Sequence, residues 1–183
     1  MIRKNLEGIH WPHQNLAFAD LRQAIMTKAN IEKANLEKAN LWRANLDYAY
    51  AREACFKGAN MREIHSQNIN LEKAHLDGAD LHGAQLSNSF LYATTLSYAN
   101  LEWANLRSAN LNNANLSHAK LINADLREAN LGQANFEGAV LINTNLENTN
   151  LQGCNFAHAQ IINVNLKVPT SIRPISLGPP LIM

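Results

Sequence analysis

The chain has 183 residues, with 16 Lys and Arg against 15 Asp and Glu and a net charge of +1. That balance excludes a strongly basic nucleic-acid binder and a strongly acidic imitation of one. No apolar run approaches the roughly 18 residues of a membrane span, and the N-terminal MIRKNLEGIHWPHQ has no signal-type apolar core. Two cysteines cannot build a disulfide framework, so a reducing, cytoplasmic setting without a membrane partner is expected.

A period of five begins at Leu6. Stepping by five from Leu6 to Leu166 gives 33 positions without a slip, of which 30 are Leu, Ile, Met or Phe; Trp11, Ala51 and Ser66 are the exceptions. Two residues earlier the chain carries Ala in 22 units, and one residue earlier Asn or Asp in 21. The consensus is A-(N/D)-L-x-x, as in Ala104-Asn105-Leu106. Ala and Leu favour helix by propensity, but at 100° per residue a period of five turns successive leucines by 140° and leaves no apolar stripe. A flat strand fails too, because an odd period flips successive leucines between faces. The pattern works if the chain turns one corner per unit, with the Ala and Leu positions inward and the other three outward.

Charges set the number of corners. With four units per coil, residues 20 apart stack at about 4.8 Å, and like charges there would repel. Signs alternate up the columns as that geometry requires: Glu32, Arg52, Glu72; Lys33, Glu53, Lys73; Glu37, Lys57, Asp77; and Arg43 below Glu63. Coils of 20 residues follow, just over eight of them, in a rod roughly 40 Å long at the strand spacing.

These A-(N/D)-L-x-x units resemble the pentapeptide-repeat proteins, in the uninterrupted style common in cyanobacterial genomes. The resemblance covers about residues 16 to 166. It implies an all-β fold, a right-handed quadrilateral β-helix. It also brings two functional associations: some members protect DNA gyrase or another topoisomerase by imitating DNA, and several dimerise through their C-terminal ends. The near-zero charge and the lack of loops between repeats weigh against the DNA-mimic alternative.

Taken in chain order, residues 1–15 keep the register but lose its chemistry and are expected to cap the rod, with Trp11-Pro12 as a plug that stops pairing. Residues 16–168 form the β-helix. Within it Ala51 lacks a large side chain where Ile69 replaces the Ala of the unit above, and Ser66 is accompanied by Ile64; both read as compensated packing. Mid-rod, Tyr50 and Phe90 share an outward column with Asn70 between them, and Tyr92 stands beside them in the column of Arg52 and Glu72. Aromatic and Arg residues are frequent interface anchors, which makes these four, with Trp42 and Trp103 on another side, secondary interaction candidates. Further along, one outward column ends in Ile122, Ile142 and Ile162, with Val140 beside it where Asn is the rule. An apolar strip on a polar surface marks an interface or a covered face. Either the non-repeat tail, residues 169–183, folds back onto it, or a second copy of the chain docks there, or a different protein binds it.

No cofactor loop, buried carboxylate pair or nucleophile–base set is present, so no enzyme and no cofactor are expected. Cys55 and His75 are stacked neighbours, but two ligands do not make a metal site. The expected role is that of a structural rod presenting faces to a protein partner, with no nucleic-acid partner.

Overall fold

The computed structural model describes residues 4–167. Parallel bridges join residues 20 apart without a change of register, from Asn5–Ile25 to Asn145–Asn165. The chain is therefore a coil of four sides, each one five-residue unit long. The first side carries inward Leu21, Leu41 and so on to Ile161; the second runs from Leu6 to Leu166, the third from Trp11 to Leu151, and the fourth from Leu16 to Phe156.

Each unit uses its backbone in the same way. The inward Leu21 N–H donates to Asn40 O (2.8 Å), Gln23 N–H to Trp42 O (2.8 Å), and Asn40 N–H to Ala19 O (2.9 Å), while Ala24 N–H closes the corner on Leu21 O (3.1 Å). The third residue of each corner has positive φ, for example Lys33 at 56° and Trp103 at 60°. Positive φ at that position only, with the closing bond, describes a type II turn.

One N–H per unit, on the residue after the inward one, has no place in this ladder. The Asn or Asp of the consensus takes it: Asn35 Oδ1 accepts from Glu37 N–H (3.0 Å), and Asn45 Oδ1 from Asp47 N–H (2.8 Å). Short Asn and Asp side chains reach a backbone donor two residues on, which explains their place in the repeat. The same Asn side chains also bond up the column, as from Asn150 Nδ2 to Asn130 Oδ1 (3.0 Å) and from Asn155 Nδ2 to Asn135 Oδ1 (2.9 Å). Residues 5–15, set apart in the sequence as a cap, carry the same ladder: Trp11 N–H donates to Asn30 O (2.7 Å). Pro12 does not stop it, because Pro12 occupies the one position whose N–H the ladder leaves over.

The core is narrow and mainly apolar. From Leu21 to Leu151 the inward apolar side chains are buried, alternating with buried Ala. Phe136 and Phe156 stack at 4.9 Å on the fourth side. Ile64 and Ile69 are fully buried beside Ser66 and Ala51, and Ser66 Oγ donates to Gln85 O (3.1 Å). Where Thr replaces Ala, its hydroxyl donates to a carbonyl: Thr94 to Leu71 O (3.0 Å) and Thr144 to Leu121 O (2.8 Å). Among the described residues no buried side-chain N or O lacks a partner.

The first side changes character near its upper end. There the chain runs as two short strands, β1 (Val140–Ile142) and β2 (Gln160–Ile162), paired parallel as Val140–Gln160, Leu141–Ile161 and Ile142–Ile162. Neither Val140 nor Gln160 offers the Asn oxygen that tightens other corners. The missing Asn does not open a corner by itself, since the units of Ile25 and Tyr50 still close through Ala29 N–H to Met26 O (3.0 Å) and Ala54 N–H to Ala51 O (3.1 Å). β-Branched residues prefer extended backbone, and here Ile142 and Ile162 are each followed two residues later by β-branched Thr144 and Val164 where Ala is the rule; the corners after β1 and β2 open into bends.

Candidate interaction surfaces

On the first side, Val140, Ile142 and Ile122 are half-buried, and Ile162 is half exposed at 50%. The 20-residue register stacks the three isoleucines in one column, with Val140 one column over. Trp103, 60% exposed, stands in the next column and its N–H donates to Ile122 O (3.0 Å), so it extends the strip downward. Inward Ile161 is itself 39% exposed in the last described coil, which adds apolar surface beside Ile162. Glu102 lies directly below Ile122 and forms no ion pair with a described residue.

Lower on the same side the chemistry is polar. Trp42 lies under the Arg43 guanidinium, 4.6 Å from the ring centroid. Arg43 binds Glu63 at 2.7 Å, Arg62 binds Asp80 at 3.2 Å and Arg22 binds Asp20 at 2.7 Å. The Arg22 hydrogen bond holds the Asp20 carboxyl down at about 2, and the Arg43 bond likewise lowers Glu63. A cleft of about 640 Å³ runs along the next corner between Arg43 and Glu63 on one wall and His65 and Gln85 on the other. Each of the three guanidiniums already has a carboxylate partner, so this region offers no unpaired charge cluster.

The second surface lies where the second and third sides meet. Tyr50 and Phe90 are 59% and 49% exposed, and Tyr92 is also exposed. The bridges Tyr50–Asn70 and Asn70–Phe90 place the two rings two coils apart with Asn70 between them. Arg52 turns to Glu53 (3.4 Å), which also receives Lys33 (3.8 Å). The reading of the sequence missed Tyr48, exposed at the adjoining corner position; its signal was its place two residues before Tyr50, across the corner. Phe18 and Tyr98 were missed as well. Both stand exposed in one corner column of the fourth side, where Tyr98 stacks on His118 at 4.8 Å.

On the fourth side a polar chain links His75, Thr95, Asp77 and Ser97. Thr95 Oγ1 donates to Asp77 Oδ2 (2.6 Å), Ser97 donates to Asp77 Oδ1, and His75 Nδ1 lies 3.3 Å from Thr95 Oγ1. Burial pushes the Asp77 carboxyl up, but the bonds from Ser97 and Thr95 outweigh it and leave it below the usual range. Cys55 pairs with His75 through the backbone bridge. Cys154 is half-buried on the third side and donates to Leu131 O (3.0 Å); burial raises its thiol to about 11. Among the described residues no group of three or more His, Cys, Asp or Glu could hold a metal ion. Among the described residues no helix is long and apolar enough to cross a membrane.

Comparison with known proteins agrees with this geometry. The family profile for pentapeptide repeats matches in 8 copies over residues 5–43, 24–62, 67–91, 94–133 and 129–167. The chain is 29% identical to HetL, a pentapeptide repeat protein involved in heterocyst differentiation regulation in the cyanobacterium Nostoc, over 86% of this chain and 87% of that one, with a TM-score of 0.42. It is 18% identical to QnrB1, a plasmid-mediated fluoroquinolone resistance protein, covering 91% of this chain and 87% of that one at a TM-score of 0.53. A pentapeptide repeat protein of the Arabidopsis thaliana thylakoid lumen shares 26% identity over 56% of this chain and 65% of its own, at a TM-score of 0.35. No curated protein matches the sequence. The coil is a right-handed quadrilateral β-helix, and the chain belongs to the pentapeptide-repeat family.

Proposed function

We propose that this protein is a non-catalytic binding rod, and that its partner surface for another protein is the mid-rod aromatic corner formed by Tyr48, Tyr50, Arg52, Phe90 and Tyr92. The observation that carries the reading is the crowding of four exposed aromatic rings onto one corner of a surface built mainly from Asn and charged residues. Aromatic rings and Arg on a rigid support provide large contact area with little conformational entropy to lose. The ladder supplies that rigidity, since every coil is bonded to the next on all four sides. A reducing, cytoplasmic setting belongs to this reading. The net charge of +1 favours a protein partner over nucleic acid, and it weighs against a rod that imitates DNA.

The test is affinity capture with the full-length chain, comparing the wild type with Tyr50→Ala/Phe90→Ala and with Trp42→Ala on the first side. The expected result is a protein retained by the wild type and by Trp42→Ala but lost with the double variant, all three proteins having the same circular dichroism and melting temperature. A partner retained equally by the double variant would move the binding surface elsewhere.

A further inference from the structure

We infer that the isoleucine strip of the first side is the docking site of the chain's own residues 168–183. This surface lies apart from the aromatic corner, and neither assignment depends on the other. The tail expected from the sequence over residues 169–183 lies outside the described residues; the strip, the position of Lys167 and the composition of the segment carry the inference.

Lys167 ends the described chain on the second side, which adjoins the first side across a single corner. The strip runs from Ile162 down to Ile122, about 10 Å at the coil spacing, and Glu102 adds one coil more. Sixteen residues reach at most about 50 Å, so the segment spans the corner and the strip with length to spare. Its apolar residues, Ile172, Ile175, Leu177, Leu181 and Ile182, match an apolar floor. Its four prolines suit that floor as well. Below the last described coil the strip backbone is already engaged in the ladder, so a strap that meets only side chains there has no use for the donors that proline removes. The one charged side chain of the segment is Arg173, and the strip is bounded below by Glu102, which no described residue pairs.

Area favours the chain's own segment over a second copy as the occupant, since a dimer would have to recruit much polar surface around the strip. The strip is roughly 15 Å tall and one side, roughly 12 Å, wide, far short of the roughly 800 Å² per partner of a stable interface. A tethered segment needs no such area, because its attachment raises its effective concentration. Exposed Ile161 gives the segment further apolar surface beside Ile162.

The test is disulfide trapping in the full-length chain carrying Cys55→Ser and Cys154→Ala. Ile142→Cys is combined in turn with Ile172→Cys, Ile175→Cys and Leu177→Cys, and Gln152→Cys serves as the control at the equivalent position of the third side, which also adjoins Lys167. The expected result is a monomeric, internally cross-linked chain in at least one Ile142→Cys pair, formed at least tenfold faster than any Gln152→Cys pair. Equal rates for the two positions, or cross-linking into dimers, would overturn the assignment. Because a variant can fail to fold, methyl NOEs are also measured on the unaltered chain. Contacts from Ile172, Ile175 or Leu177 to Ile122, Ile142 or Ile162 within one chain are expected. Their absence, or their appearance only between chains in a mixed-label sample, would overturn it too.

Discussion

His118 lies across the backbone of Gly138 so closely that a Cβ on Gly138 would stand 2.5 Å from His118 Nδ1. The same imidazole stacks on Tyr98 below it, so one glycine gives a ring its resting place. Gly138 also has φ of 64°, and Gly78, in the same corner column, has 65° with nothing within 4 Å of its Cβ position. Gly78→Ala therefore measures the left-handed conformation alone, at about 1 kcal/mol. Gly138→Ala adds the displacement of His118 and should cost about 2–3 kcal/mol in chemical denaturation. Equal losses at the two sites would show that the ring moves aside without cost.

Ala93 has φ of 54° and carries a Cβ that this conformation disfavours. Ala93→Gly is expected to raise the melting temperature by a few degrees, against the usual direction of such a change, because the relief of strain exceeds the entropy added to the unfolded chain. A lower melting temperature would mean that the corner imposes its geometry without strain.

Thiol reactivity separates the two cysteines. Burial holds the Cys154 thiol at about 11, so at pH 8 about one molecule in a thousand carries the reactive thiolate. Brief treatment with iodoacetamide at pH 8 should modify Cys55 and leave Cys154 intact, with Cys154 reacting once denaturant is added. Mass spectrometry of the digested protein checks this, and rapid native labelling of Cys154 would contradict its burial.

Acid should weaken the rod through its carboxylates. Asp77, Asp125 and Glu128 are all held below their usual range, Asp77 by Ser97 and Thr95 against its burial, Asp125 by Arg127, and Glu128 by Arg107. A carboxylate lowered by folding contributes stability above its unfolded value, about 4 for Asp, and loses it as pH falls through the lower folded value. The melting temperature should be flat near neutrality and fall below about pH 4. Asp77→Asn should melt a few degrees lower at pH 7, with the gap closing toward pH 2. A gap that persists at pH 2 would assign the loss to packing.

The fold was legible because every unit repeats one solution. Leu106 and Ala104 mark the inward positions, and the alternation of Lys33 with Glu53 reports the 20-residue coil, which appears as a 3.8 Å ion pair. Other charge columns gave the right register through different partners: Arg52 turns to Glu53 within its own unit and not up its column to Glu72. The purpose of the consensus Asn was not legible, since a single left-over N–H becomes visible only once the other four are placed. Nor were the opened corners after β1 and β2, since other units without the consensus Asn, such as those of Tyr50 and Lys120, keep their corners closed. The column of Trp103 does follow from the register, which stacks it under Asn123 beside the isoleucines, but its exposure as part of the same surface shows only in the structure.

A ladder locked to a register of 20 also constrains how such a gene can change length. Loss of a whole coil shortens the rod and leaves every column vertical. Loss of one pentapeptide between Phe90 and Ile122 would preserve each local unit and its hydrogen bonds, yet turn everything above it by a quarter revolution. The isoleucines would then stand on a different side from Trp42, and no residue of either surface would have been altered. In this architecture the angle between two surfaces is an inherited trait, encoded by the count of residues that separate them.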